Sequence, residues 1–434
     1  MKKNSVVIGA GLAGCEAAWQ LAWRGVPVTL IEQKPNKMPP AHSAAGFAEL
    51  VCSNSLRADG LGNAVGLLKQ EMRELGSLVM EAADATRVPA GGALAVDRHA
   101  FSNYITDKIN LHDLIEVRAE EAQELPEDGI AILAPGPLVD GALLRSIEAA
   151  VGGEMLSFFD AAAPIVTGES IDYGKAFFAS RYGKGEGTDY LNCAMDMEQY
   201  RAFWEALISA ETAHLHEFED KKVFEGCMPV ETMAKRGFDT LRFGPLKPVG
   251  ITAPDGSKPY AVVQLRREDS EGRMYNLVGF QTHLKFPEQR RVFGMIPGLE
   301  NAEIVRYGVM HKNVFIKSPA LLNRYYEMTG RSGLFFAGQI TGVEGYVESA
   351  ASGLLAGVFA ACDMLGRPRP DFSPATACGA LASYISGYVG NDFQPMNINY
   401  GIISAIQTKA RGQDKKTLIA ERALEEIRRT ARGL

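Results

Sequence analysis

Six cysteines occur among the 434 residues, and no two of them form a Cys-x-x-Cys. Their positions (15, 52, 193, 227, 362 and 378) suggest neither a disulfide framework nor a zinc site, so no metal is expected and a reducing cytoplasm is the expected compartment. A long apolar run is also missing. The stretch from Val6 to Ile31 is apolar, but three early glycines, Glu16 and Arg24 interrupt it, which argues against a secretory leader and against a membrane span. Basic charge is not in excess either: 45 Lys and Arg face 52 Asp and Glu, for a net charge of −7. A nucleic-acid partner is therefore not implied by global charge and must rest on local patches. There is no internal repeat, no low-complexity tract and no second Gly-x-Gly-x-x-Gly, since Tyr182 to Gly187 follows no good strand.

What is present begins with a dinucleotide signature. Val6-Val7-Ile8-Gly9-Ala10-Gly11-Leu12-Ala13-Gly14 leads into a helical pattern, and Val28-Thr29-Leu30-Ile31-Glu32 follows. Strand, glycines, helix, strand and acid stand in the order that a βαβ nucleotide unit requires. Gly9 permits the tight turn, Gly11 lets the backbone approach a pyrophosphate, and Gly14 lets helix and strand pack closely. The helix N-terminus offers free N–H groups and partial positive charge to phosphates. Glu32, eighteen residues after Gly14, is placed to accept hydrogen bonds from ribose hydroxyls.

A second signature lies near the other end: Gly333-Leu334-Phe335-Phe336-Ala337-Gly338-Gln339, then Gly345-Tyr346-Val347-Glu348-Ser349 and a run of small residues to Gly357. It reads as a buried strand, a turn and a small-residue helix. Many two-dinucleotide flavoproteins carry Ala-Gly-Asp there, and Gln339 replaces the acid. One glycine motif leaves NAD and FAD open; the return to the nucleotide fold near the C-terminus favours FAD.

The chain is too long for one ordinary core, and its composition (46% hydrophobic, 22% charged) is that of a globular protein. The expected fold class is α/β: a Rossmann-like FAD-binding domain of the two-dinucleotide-binding flavoprotein type, interrupted by a smaller α+β insertion. The FAD domain is expected to be discontinuous, over 1–150 and 325–434, with an insertion or substrate domain at 151–324. Gly62 to Leu78 and Asp97 to Ile109 read as helices, the latter capped by Asp97. Ile130 to Ala134 reads as a strand returning to the sheet, and Asp140 to Val151 as a helix. In the insertion, Ala163 to Val166, Phe177 to Ala179 and Tyr260 to Leu265 read as strands and Met197 to Ala210 as a helix. Thr417 to Arg432 reads as an amphipathic helix.

Two cysteines stand apart as chemical candidates. Cys52 lies in Leu50-Val51-Cys52-Ser53-Asn54-Ser55-Leu56-Arg57, a polar segment; Cys227 lies in Phe224-Glu225-Gly226-Cys227-Met228-Pro229, where a turn can expose sulfur. Each needs a cation or helix N-terminus to favour its thiolate, and each is equally readable as an inert small hydrophobe. Cys15, Cys362 and Cys378 sit among alanines and glycines and read as packing residues. His283, in Gly279-Phe280-Gln281-Thr282-His283-Leu284, suits stacking on a planar ligand or acid chemistry, though a core or surface role is the plainer reading. Tyr346 stands where an aromatic can cover a flavin ring. Cationic patches occur at Arg266-Arg267, at Lys285 with Arg290-Arg291, and in a C-terminal cluster of Lys409, Arg411, Lys415, Lys416, Arg428, Arg429 and Arg432; each reads first as a solvated face.

Four blocks taken together carry a resemblance: Val51 to Arg57, Phe224 to Pro229, Gly279 to Leu284, and Phe336-Ala337-Gly338-Gln339-Ile340-Thr341-Gly342-Val343-Glu344-Gly345-Tyr346. In this order they resemble the bacterial folate- and FAD-dependent tRNA (uracil-5-)-methyltransferases, which make 5-methyluridine in the T loop (U54). The likeness runs to the region of Tyr400, and the family carries Gln at the Gln339 position. The resemblance implies that the Cys227 thiolate adds to uracil C6 so that C5 becomes nucleophilic. It implies that Cys52, near the flavin, removes the C5 proton. It further implies that methylenetetrahydrofolate gives the carbon, that reduced flavin gives the hydride, and that NADPH or NADH recharges it. His283 and Tyr346 match positions near the pterin and isoalloxazine, and tRNA is the implied partner, with the C-terminal cationic cluster as its candidate face. Two other readings stay open: the related wobble-uridine modification flavoprotein, which is longer, and a small-molecule flavin oxidoreductase with no RNA partner.

Overall fold

The computed structural model describes residues 5–39, 41–153, 155–183, 187–213, 228–390 and 393–434. At its centre is a five-stranded parallel sheet in the order Leu334–Phe336, Ile130–Leu133, Ser5–Ile8, Val28–Glu32, Ile115–Ala119. The strands Leu334–Phe336, Ile130–Leu133 and Ser5–Ile8 are almost wholly buried, which is why they read as continuous apolar runs rather than alternating ones. Two helices, Leu12–Trp23 and Tyr346–Leu365, pack against each other beside this sheet. Their approach depends on missing side chains: a Cβ on Gly353 would collide with the Ala13 carbonyl, and one on Gly357 would press on that of Ala17. The second helix is long and apolar enough to cross a membrane, with mean hydropathy 1.3, but 83% of that stretch is buried inside the protein. Its apolarity is that of a core element.

A second core belongs to a six-stranded antiparallel sheet, in the order Ala176–Phe178, Leu191–Met195, Ala261–Arg267, Met274–Leu277, Ile165–Thr167, Ile304–Arg306. The helix Met197–Ser209 packs on it, started by Asp196, whose side chain accepts the Gln199 N–H while the Gln199 side chain returns to the Asp196 N–H. The antiparallel pair Met155–Ala161 and Met310–Ile316 carries the chain out of the parallel-sheet core and back.

Several expected elements differ in detail. The single helix expected over Gly62 to Leu78 is two, Ala64–Glu74 and Leu78–Ala85. Gly76 takes φ of +72°, and Ser77 then caps the second helix by accepting the Met80 N–H. Buried Glu16 completes that cap, accepting the Ser77 hydroxyl at 2.7 Å and the Val79 N–H at 2.9 Å. The strand expected at Ala163 to Val166 is Ile165–Thr167, because Pro164 has no N–H to contribute to a ladder. The last helix starts earlier, at Gly412, and ends at Ala431. A helix not foreseen, Ala377–Gly387, is capped by Thr376 and by the buried Glu71 carboxylate, which accepts the N–H groups of Ala377 and Cys378. The helices expected over Asp97 to Ile109 and Asp140 to Val151 run over Arg98–Asn110 and Gly141–Ala150, and the strands expected over Ile130 to Ala134 and Tyr260 to Leu265 run over Ile130–Leu133 and Ala261–Arg267.

Candidate functional site

The carboxyl ends of the central strands open into a cleft of about 1220 Å³. Gly9, Gly11, Leu12 and Ala13 form one wall, Glu32 and Lys34 another, Pro135 to Val139 a third, and Gly338, Gln339 and Tyr346 the far end. Each glycine of the first motif has a distinct task. Gly9 takes φ of +98° and leaves no room for a Cβ beside the Ala134 carbonyl; a Cβ on Gly14 would strike the Gly9 carbonyl. Gly11 is different: it lines the cleft, its φ of −74° suits any residue, and a Cβ there would meet no protein atom within 4 Å. The space is open for a ligand and not for packing. The helix that starts at Leu12 has no side-chain cap and no acid in its first turn. A backbone that close, with an uncapped helix N-terminus behind it, fits a pyrophosphate. Glu32, buried at the end of its strand, accepts the Ala10 N–H at 2.7 Å and the Lys34 N–H at 2.9 Å, which fixes its carboxylate at the cleft wall. Ala10 and Gly14 support the turn from behind and do not line the cleft.

Val51, Pro137, Leu138, Gln339, Tyr346 and Ser349 are shared with a second chamber. Its other walls come from Cys52, Ser53, Arg57, Arg266, Asn276, Asn313 and Asn397, with Gly279 and Gln281 at one side. Cys52 sits in this chamber, hydrogen-bonded to Tyr346, and the residues on either side of it are held by Arg98 and Arg266. The Tyr346 hydroxyl accepts the Cys52 N–H at 2.7 Å and donates to the Cys52 sulfur at 3.0 Å. Burial pushes the Tyr346 phenol well up, and Cys52 beside it adds to this, so the hydroxyl keeps its proton and remains a donor. Arg98, buried and paired with Glu268 at 2.7 Å, donates to the Leu50 carbonyl and lies within the electrostatic reach of Tyr346 and Cys52. Arg266 reaches from the antiparallel sheet to the Asn54 side chain at 2.8 Å and the Ser53 hydroxyl at 2.6 Å. A donor and a cation near the sulfur are what a thiolate needs.

Among the other described thiols, Cys362 lies near the cations of Arg24, Arg367 and Arg369, but burial outweighs them. Cys15, Cys193, Cys362 and Cys378 are buried, and burial pushes Cys193 up to about 12 and raises the other three. Cys52 alone among the described cysteines is half-exposed.

His283 lies elsewhere. Its ring Nδ1 is 2.6 Å from Glu231, its N–H donates to the same carboxylate at 2.9 Å, and it lines neither cavity. Glu231 also accepts the Thr282 hydroxyl, which ties the helix Val230–Lys235 to the Gln281–Leu284 segment. Cys227 lies outside the described residues. The cationic patches resolve unequally: Arg266 is a buried strut rather than a solvated face, while Lys285, Arg291 and Arg428 pair with Glu211, Glu288 and Glu74. Lys409, Arg411, Lys415, Arg429 and Arg432 are exposed.

Some lining residues carried no sequence signal. Asn276, Asn313 and Asn397 are single asparagines in three separate segments, and Arg98, which lies behind the chamber rather than on its wall, follows the Asp97 cap like any first-turn residue. His42 and Glu49 also line the cleft. Burial, then Lys34, push the His42 imidazole down; Glu49 is held below the usual range, against its burial, by the N–H and hydroxyl of Ser43.

Comparison with known proteins agrees with this geometry. Residues 4–368 match the family model described as glucose inhibited division protein A. A protein of Acetivibrio thermocellus named methylenetetrahydrofolate--tRNA-(uracil-5-)-methyltransferase TrmFO is 59% identical, with 97% of each chain covered. Proteins of the same name from Listeria monocytogenes serotype 4b and Geobacter sulfurreducens are 58% and 56% identical, over the whole of both chains and over 97% of each. Aquifex aeolicus GidA, in its form II crystal, shares the fold with a TM-score of 0.70 at 15% identity, covering 99% of this chain and 74% of that one. The α/β flavoprotein fold expected from the two glycine signatures is thus the fold found. With relatives this similar along nearly its whole length, the chain belongs to the glucose inhibited division protein A family and, within that likeness, to the family of the methylenetetrahydrofolate--tRNA-(uracil-5-)-methyltransferases.

Proposed function

We propose that this protein methylates carbon 5 of the T-loop uridine (U54) of tRNA, taking the carbon from methylenetetrahydrofolate and using FAD with NADPH or NADH, in the cytoplasm. The observation that carries this reading is the position of Cys52: a half-exposed thiol, bonded to Tyr346, in a chamber continuous with a dinucleotide cleft. FAD, when bound, supplies the redox chemistry that moves the one-carbon unit and the hydride.

The chain's own residues do the rest. Gly9, Gly11, Leu12 and Ala13 present backbone to the pyrophosphate, with Ala10 and Gly14 holding the turn. Glu32 takes the ribose, and Gly338 and Gln339 close the cleft, the Gln339 amide being oriented by a 2.6 Å bond to Glu344. Tyr346 borders both spaces and orients Cys52. Cys227 adds through sulfur to uracil C6; the new C–S bond turns C5 into an enolate carbon able to attack an electrophilic carbon. Cys52 then accepts the C5 proton, and elimination of the Cys227 sulfur restores the ring. His283, two residues beyond chamber-lining Gln281, is assigned to the folate side. A uridine within folded tRNA must leave its stack to reach these groups.

The test is nucleoside mass spectrometry on unmodified tRNA incubated with the FAD-loaded protein, methylenetetrahydrofolate and NADPH. Folate-dependent 5-methyluridine in the T loop is expected from the parent and none from Cys227→Ala. Modification of the wobble uridine, or NADPH consumption without an RNA product, would overturn the reading.

A further inference from the structure

The antiparallel domain carries an exposed aromatic loop that the proposed chemistry does not use. Phe243 ends the short 3-10 turn Thr240–Phe243 and is 85% exposed, while Leu241 and Leu246 on either side are fully buried. The loop is fixed rather than loose. Leu246 N–H bonds back to the Leu241 carbonyl at 2.9 Å, and the Leu246 carbonyl accepts the Val262 N–H at 3.2 Å. Arg242 bonds the Tyr260 carbonyl at 2.9 Å and lies 3.7 Å over the Tyr260 ring. Pro245 packs directly on Gly279, which lines the Cys52 chamber, so the loop stands at that chamber's edge.

A second exposed aromatic joins the same loop from the other side. Tyr182 is 59% exposed, adopts φ of +58°, donates its N–H to the Gly250 carbonyl and lays its ring where a Gly250 side chain would stand. That left-handed conformation is uncommon for a residue with a side chain, and here the bond to Gly250 holds it. The loop itself is cationic: over 235–250, Lys235, Arg236, Arg242 and Lys247 stand against a single acid, Asp239, which pairs with Arg242 at 2.6 Å, in a chain whose net charge is negative. Lys235 and Lys247 are exposed. Rigidly held, solvent-facing rings in a cationic loop are the composition that grips unstacked nucleotides.

We infer that the Lys235–Gly250 loop, with Phe243 and Tyr182, is a docking surface for tRNA, on which Phe243 stacks an unpaired base near the uridine to be modified. This rests on the methylation reading above. The C-terminal cationic cluster contains no comparable exposed ring in its helix and is the alternative face.

The experiment measures equilibrium binding of an unmodified tRNA transcript to the full-length, FAD-loaded protein across a salt series. Phe243→Ala is expected to raise Kd about tenfold, the range for loss of one base–ring stack. Phe243→Trp is expected to bind like the parent, and Phe243→Leu like Phe243→Ala. The double variant Lys235→Gln/Lys247→Gln, which touches no buried group, is expected to flatten the dependence of log Kd on log salt. Parental binding by Phe243→Ala, full rescue by Phe243→Leu, or a parental salt slope in the lysine variant would each overturn the assignment. If the parent methylates tRNA and these variants bind like it, only the docking surface fails; if the parent neither binds nor methylates tRNA, the methylation reading fails and takes the docking surface with it.

Discussion

The nucleotide cleft and the Cys52 chamber share six residues, yet the groups that define each of them differ. Where the cleft meets the glycine turns, its wall is made of small residues, Gly9, Gly11, Ala13, Ala134, Gly136 and Gly338, so its shape there follows from where the main chain runs, while Glu32, Lys34, His42 and Glu49 line other parts. The chamber sets apolar residues such as Leu56, Ala162 and Val278 beside polar side chains from segments far apart in the chain: Cys52, Arg57, Arg266, Asn276, Asn313 and Asn397. Its order depends on a web of hydrogen bonds, with Arg266 reaching across to Ser53 and Asn54 and Arg98 holding Leu50. Backbone recognition tolerates little added volume; a side-chain network tolerates volume but not the loss of a donor or acceptor. The two should therefore fail differently.

The largest separation between them is expected from Cys52→Ala. Removing a proton acceptor from the chamber should slow 5-methyluridine formation by about a hundredfold or more while the purified protein keeps its flavin absorbance. Methylation at the parental rate would show that this thiol carries no proton. Next comes Gly11→Val. A Cβ here meets no protein atom, so the fold should survive, while FAD binding weakens by roughly tenfold to a hundredfold because the side chain occupies the ligand's space. Flavin titration of the apoprotein checks this, and undiminished affinity would remove the pyrophosphate from this turn. Gly14→Val, whose Cβ would strike the Gly9 carbonyl, should instead lower Tm, which separates ligand clash from misfolding within one motif.

The smallest of these effects is expected from Tyr346→Phe, which sits at the border of the two spaces. The ring stays and the hydroxyl that donates to Cys52 goes, so FAD content should hold while methylation falls about tenfold and iodoacetamide alkylates Cys52 more slowly at neutral pH. Unchanged alkylation would mean that the 3.0 Å contact does not govern the thiol. Loss of flavin would instead make Tyr346 part of the cleft alone.

The same division explains what could be read without a structure. Gly9, Gly11, Gly14 and Glu32 were legible because a strand–turn–helix of fixed spacing is a local backbone requirement. Cys52 drew attention only through its polar neighbours and the family likeness of its block; nothing local foretold Arg98, Arg266 or Tyr346 as its supports. Arg266-Arg267 looked like a surface patch, yet one member is buried, because strand alternation and docking against Asn54 turn it inward. The helix break at Gly76 was visible in principle as a glycine followed by a capping serine, but a continuous apolar pattern masked it. His283 shows the opposite case: a histidine in a family-like block whose ring contact is with Glu231 and not with either cavity.

By itself the sequence determined the fold class, the order of the nucleotide unit, the return of the chain to that unit, and the family. Each depends on short-range periodicity, on glycine spacing, or on blocks long enough to be matched in order. Only the tertiary structure decided that the two glycine signatures face one cleft, that Tyr346 hydrogen-bonds Cys52 at a separation of 294 positions along the chain, and that Arg266 braces the same segment from the other sheet. Those contacts join residues whose separation along the chain leaves no periodic trace, and they exist only once two hydrophobic cores have formed and set their polar edges against each other.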